Sequence, residues 1–190
     1  MLILFNKPYG VICQFSSDGM HPTLKDYLAI PGIYPAGRLD TDSEGLLILT
    51  DDGKLQHKIS HPRHKEAKTY WAQVEGNPTP EALGKLHRGV DLGDFVTQPA
   101  SVKIIPEPPG LWPRTPPVRF RKEIPTSWLE LTISEGKNRQ VRRMTAKAGF
   151  PTLRLIRCRI GEWNLGGLAP GQWREVLNPD NPLDGCSKSK

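Results

Sequence analysis

Cysteine is scarce in this 190-residue chain. Cys13, Cys158 and Cys186 are odd in number and far apart, and no two stand at the two-residue separation that zinc ribbons and redox motifs use. Their scarcity argues against a disulfide framework and for reduced thiols, as in a cytoplasm. Long apolar runs are missing too: the stretch from Met1 to Phe5 is broken by Asn6 and Lys7, too soon for a signal segment or a membrane span. A soluble cytoplasmic protein with no membrane partner is the expectation. There is no glycine-rich phosphate loop, since Gly161, Gly166 and Gly167 lack both the spacing and the lysine of a nucleotide fold. Metal ligands are sparse: His57 and His61 lie one helical turn apart with His64 beyond, but no cysteine or carboxylate stands at ligand spacing. Neither a metal nor a nucleotide cofactor is expected.

What the chain does have is a concentrated positive charge. Between Ser134 and Ile160, Lys137, Arg139, Arg142, Arg143, Lys147, Arg154, Arg157 and Arg159 face only Glu135, a net +7; the rest of the sequence sums to −1 against a whole-chain charge of +6. A basic zone confined to one segment is what a polyanion-binding face needs, because cations that neutralise phosphates release counterions. Arginine predominates there, and its planar fork suits phosphate. The competing reading is a solvated surface that merely aids solubility.

Strand and helix signals alternate without a repeat, and 37% apolar residues suffice for a core in one domain or two closely packed halves. Strands are expected at residues 2–5, 45–50, 68–75, 95–105, 128–134 and 153–160. In the fifth, Leu129, Leu131 and Ile133 alternate with Trp128, Glu130 and Thr132, as a half-buried strand requires. Short helices are expected over 24–28 after Thr23, and from Asp51 or Asp52 to Pro62. Another starts at Thr79-Pro80-Glu81 and ends at Gly89. The spacing predicts the best helix over Asn138–Ala148, with Arg139, Arg142 and Arg143 on one face and Val141, Met144 and Ala148 on the other. Residues 106–117 hold six prolines, so they form an extended loop or hairpin extension rather than a central strand. Beyond Leu177 a polar, frayed tail is expected. The class is α+β with a mixed or antiparallel sheet.

Gly37-Arg38-Leu39-Asp40, followed by Thr41-Asp42-Ser43-Glu44-Gly45 and the apolar run to Thr50, places a carboxylate in a turn at the mouth of a buried strand. That placement fixes the backbone while presenting the side chain to a cleft. Turn stabilisation by Asp40 and Asp42 is the plainer alternative. In the helix from Asn138, three arginines on one face suit phosphates, and one of them could pair with Asp40 and keep it ionised. Lys68-Thr69-Tyr70-Trp71 sets an aromatic ring beside a cation, suited to packing or to stacking on an extruded base.

Together these stretches resemble the pseudouridine synthases, in the branch that modifies ribosomal RNA. Lys7-Pro8-Tyr9-Gly10-Val11 is similar to that branch's first motif, and Gly37 to Thr50 to the second, which bears the catalytic aspartate. Lys68-Thr69-Tyr70 is similar to the segment holding the active-site tyrosine, Gly136 to Met144 to the third motif, Leu155-Ile156-Arg157 to its continuation, and Leu168-Ala169-Pro170-Gly171 to the closing one. The resemblance implies the pseudouridine synthase fold, a mostly antiparallel mixed sheet flanked by helices around a central cleft. It implies one catalytic domain over residues 1–177, without the N-terminal S4-type domain of most relatives, and a tail over 178–190. It further implies a cofactor-free isomerisation of a uridine in ribosomal RNA, 23S rather than 16S, by a monomer. Asp40 would be nucleophile or base, Tyr70 would stack on the base and Arg142 would pair with Asp40. Lys7, Arg38, Lys137, Arg139, Arg143 and Arg157 would hold phosphates. An RNA N-glycosidase and a non-catalytic ribosome-assembly factor are the alternatives.

Overall fold

The computed structural model describes residues 1–60, 66–119 and 121–177. Among them are nine strands and three α-helices, an α+β fold, and no helix is long and apolar enough to cross a membrane. The chain divides into two compact units, Met1–Glu66 with the residues from Arg157 onward, and Ala67–Ile156.

The first unit is organised on β1 (Leu2–Lys7), every residue of which is buried. Apolar side chains on both faces make it an interior strand: β3 (Glu44–Thr50) pairs antiparallel on one edge, from Leu2 opposite Thr50 to Lys7 opposite Gly45, and β9 (Trp173–Glu175) pairs on the other. β2 (Tyr34–Pro35) adds to β3, and β8 (Trp163–Asn164) folds back on the end of β7 (Thr152–Ile160). Ile3, Phe5, Leu47 and Leu49 pack with Val11, Leu24, Leu28 and Ile33 into one core, and each such side chain contributes about 1.5–3 kcal/mol. Asp52 starts α1 (Gly53–Ser60) by accepting from the N–H groups of Lys54 and Leu55. The helix expected over 24–28 is only a 3₁₀ turn, Leu24–Asp26, closed by the Asp26 carboxylate on the Thr23 N–H. His57 lies on α1, whereas His61, His64 and Cys186 lie outside the described residues, as does the tail expected over 178–190.

In the second unit β6 (Thr126–Ile133) runs antiparallel between β4 (Lys68–Glu75) and β5 (Ser101–Ile105). Thr79 caps α2 (Pro80–Arg88) by accepting from the Ala82 N–H, and Gly89, at φ 99°, stops it. The strand expected from Phe95 begins only at Ser101. Upstream the chain doubles back at Gly93, Leu92 donating to Phe95 O and Thr97 to Val90 O, which removes residues 90–97 from the sheet. The helix expected from Asn138 is α3 (Gln140–Lys147), because Arg139 adopts a left-handed conformation at φ 48° just before it. Arg139 is therefore exposed on the turn and does not share a helical face with Arg142 and Arg143.

Candidate active site

The turn that bears Asp40 is fastened to the first unit through four backbone atoms, Arg38 O, Leu39 N, Thr41 O and Leu46 O. Asp40 O accepts from Ser43 N at 3.0 Å and closes the turn. Thr41 O accepts from Gly10 N at 2.8 Å and from Lys7 Nζ at 3.5 Å, and Leu39 N donates to Cys13 Sγ at 3.3 Å. Arg157 binds both sides of the turn, with Nη1 on Arg38 O at 3.3 Å and Nε on Leu46 O at 2.9 Å. Gly45 permits this: its φ is 103°, and a Cβ there would run into the Arg157 backbone. Leu39 is buried while Asp40 is partly exposed, so the turn is rooted by its apolar residue and presents its acid.

Lys7 and Arg157, expected to hold phosphates, are both inside. Lys7 is 0% exposed and its ammonium also donates to Val11 O at 2.7 Å and Pro8 O at 2.9 Å. Burial drives its pKa down to about 8, and the neighbouring Cys13, Glu44 and Asp42 oppose the shift. Arg157 is 3% exposed, and its Nη2 has no hydrogen-bond partner among the described residues. Alternation sets Arg157 and Arg159 on one strand face, yet only Arg159 is exposed. Both Lys7 and Arg157 sit as supports of the Asp40 turn. Arg38, in contrast, is exposed.

In the second unit Tyr70 lies on β4 opposite Leu131 and is 7% exposed. Arg142, half-buried on α3, donates from Nη1 to Thr152 O at 3.3 Å. Lys137 stands over the Phe95 ring at 3.9 Å, while Arg143 lies 5.4 Å from the same ring and donates to Leu92 O and to both carboxylate oxygens of Asp94. The Asp94 carboxyl is held below its usual range by Arg143. Glu135, the one acid of the basic segment, accepts from Gln98 N and Gln140 Nε2, so it orders the start of α3. No part in the site falls to Cys13, Asp94 or Phe95 from the sequence. A lone cysteine and a turn acid carry no spacing signal, and only the doubled-back chain brings residues 92–95 to the basic segment.

A family model described as RNA pseudouridylate synthase matches residues 1–147. The chain is 58% identical over 176 residues to "Ribosomal large subunit pseudouridine synthase E" of Xanthomonas campestris pv. campestris, covering 92% of this chain and 94% of that protein. It is 60% identical over 172 residues to the protein of the same name from Xanthomonas axonopodis pv. citri, covering 90% of each. Among solved structures it is similar to "Crystal structure of pseudouridylate synthase", at 30% identity and a TM-score of 0.76, covering 92% of this chain and 69% of that one.

Proposed function

Because the chain belongs to the RNA pseudouridylate synthase family, we propose that it isomerises a uridine of large-subunit ribosomal RNA, the 23S molecule, and that Asp40 carries the chemistry. The observation that carries the assignment is the clamped turn: two buried cations, a backbone contact from Gly10 and a thiol fix residues 38–46, while the acid they surround stays partly exposed. Fixing the backbone of a reactive group in advance lowers the cost of reaching the transition state.

The reaction breaks the N-glycosidic bond, turns the uracil while it stays bound and rejoins it through carbon 5, with no atoms gained or lost. The target nucleotide leaves its stack at a cost of a few kcal/mol, recovered by stacking and hydrogen bonds. Tyr70 stacks on the base in this reading, and Arg142 pairs with Asp40. Asp40 acts as nucleophile or as the base that removes a ribose proton. The exposed Arg38, Lys137 and Arg139, with Arg143, hold phosphates. Lys7 and Arg157 act through the turn. The enzyme works as a monomer.

Asp40→Asn tests the assignment: pseudouridine formation in 23S rRNA is lost while RNA binding persists. Retained isomerisation refutes it. Free uracil released by the wild-type protein would instead identify an N-glycosidase, and rRNA with unchanged pseudouridines in cells lacking the protein would identify an assembly factor.

A further inference from the structure

Among the described residues Arg139 is the only one besides glycine with a positive φ, at φ 48° and ψ 29°. A left-handed conformation is costly for any residue that carries a Cβ. Gly136 and Asn138, types that tolerate it far better, stand close by in the sequence. The second unit thus places its backbone strain under a long, exposed cation. Strain of this kind persists only where the surroundings impose it, and it gathers where the chain does work.

Directly after it stands a buried amide. Gln140 is 2% exposed, although Lys137, Asn138 and Arg139 before it are all exposed. It binds Lys137 from both directions: Gln140 N donates to Lys137 O at 3.2 Å, and Gln140 Oε1 accepts from Lys137 N at 3.1 Å. The other end of the amide is seated too, Nε2 donating to Glu135 Oε1 at 3.1 Å and to Sδ of the fully buried Met144 at 3.8 Å. Glu135 Oε1 also accepts from Gln98 N, which ties the anchor to the chain ahead of β5. Arg139 O, meanwhile, accepts from Arg143 N at 3.0 Å as α3 begins. With Lys137 closed on Gln140 and Arg139 O committed to the helix, the reversal falls to Asn138 and Arg139. Arg139 absorbs it by turning left-handed.

We infer that Gln140 is a positioning residue of the RNA interface: its buried amide, seated on Glu135, holds Arg139 in the left-handed conformation and so aims that guanidinium off the helix at one phosphate of the substrate RNA. The inference rests on the proposed function for the RNA and for Arg139 as a phosphate contact. Gln140 is buried and acts through its neighbour. A helical Arg139 would share a face with Arg142 and Arg143; turned out of the helix it serves a phosphate of its own. A cation on so fixed a turn has little entropy to lose on binding, and its contact adds to the salt dependence. A residue that merely started α3 would matter equally whatever side chain stood at 139.

A double-mutant cycle on the full chain, read by equilibrium binding to a folded 23S rRNA fragment across a salt series, tests this. Gln140→Met should lose about fivefold in affinity and about 1 from the slope of log K against log salt, as Arg139→Ala does. In the Arg139→Ala background Gln140→Met should change neither, because the guanidinium it aims is gone. A wild-type slope in either single variant, or equal losses in both backgrounds, overturns the inference. A second measurement leaves Gln140 intact. At an ordinary helical position glycine is less stable than alanine; at 139 the order should reverse, with a higher midpoint of urea unfolding for Arg139→Gly than for Arg139→Ala. A higher midpoint for the alanine variant would show that the conformation is not imposed, and overturns the inference as well. Because only binding and stability are read, a wild-type protein that bound RNA but formed no pseudouridine would sink the functional assignment and leave the role of Gln140 standing.

Discussion

Asp94 holds Arg143 with both carboxylate oxygens, so the cation expected to meet a phosphate already grips an acid of its own chain. The contact orients the guanidinium fork and neutralises it in the same stroke, and Leu92 O takes a further donor. RNA that engages Arg143 does so in competition with Asp94.

Asp94→Asn should therefore tighten binding to unrelated RNA by a few fold and steepen the salt slope by about 1, while Arg143→Ala weakens binding and flattens the slope. Filter binding across a salt series checks both. Arg143 holds the Asp94 carboxyl below its ordinary range. The pair therefore favours the fold above that range and stops doing so as pH falls through the lowered value.

Lys7 gives a signature in alkali. Its pKa falls from 10.5 to about 8 on burial. Below pH 8 it is protonated folded and unfolded alike, and the fold bears the whole desolvation cost. Between about 8 and 10.5 the unfolded chain keeps a proton that the folded chain has lost, so stability rises with pH. The gain is about 3 kcal/mol at most and is complete above the unfolded value. Denaturant titrations from pH 7.5 to 10.5 should show this rise in the wild type relative to Lys7→Met; parallel pH profiles would show that Lys7 does not titrate this way.

Gly45→Ala should cost about 3 kcal/mol, from a left-handed backbone and from the collision with the Arg157 backbone. The midpoint of urea unfolding measures it. A near-neutral variant would mean that β3 does not approach Arg157 this closely.

Arg157→Ala separates support from phosphate binding. It strands Arg38 O and Leu46 O, a loss of about 2–4 kcal/mol in stability. The salt slope of RNA binding should stay as in the wild type. Arg38→Ala and Arg139→Ala should do the reverse, keeping stability and each removing about 1 from the slope.

These contrasts show where sequence was readable. Alternation placed β6, and Thr79-Pro80 placed α2, because two-residue and capping signals are local. The Asp40 turn was legible because a polar loop abruptly meets a strand buried on both faces. The charge count over 134–160 took Arg154 and Arg157 into the basic zone, since position along the chain carries no depth, and these two are buried. Helical periodicity put Arg139 on the helix, because a left-handed residue at a helix start leaves no periodic trace. The strand expected over 95–105 lost its first half to the turn at Gly93, whose partners lie across the chain reversal and not along it.

The first unit is assembled from the two ends of the chain, with the uninterrupted second unit between them. During synthesis residues 67–156 can complete their own fold as soon as they emerge, whereas β1 waits for β9 and the Asp40 turn waits for Arg157. A nascent chain thus carries the Asp40 turn with its Lys7, Gly10 and Cys13 contacts well before Arg157 can bind Arg38 O and Leu46 O from the far side of the second unit's sequence.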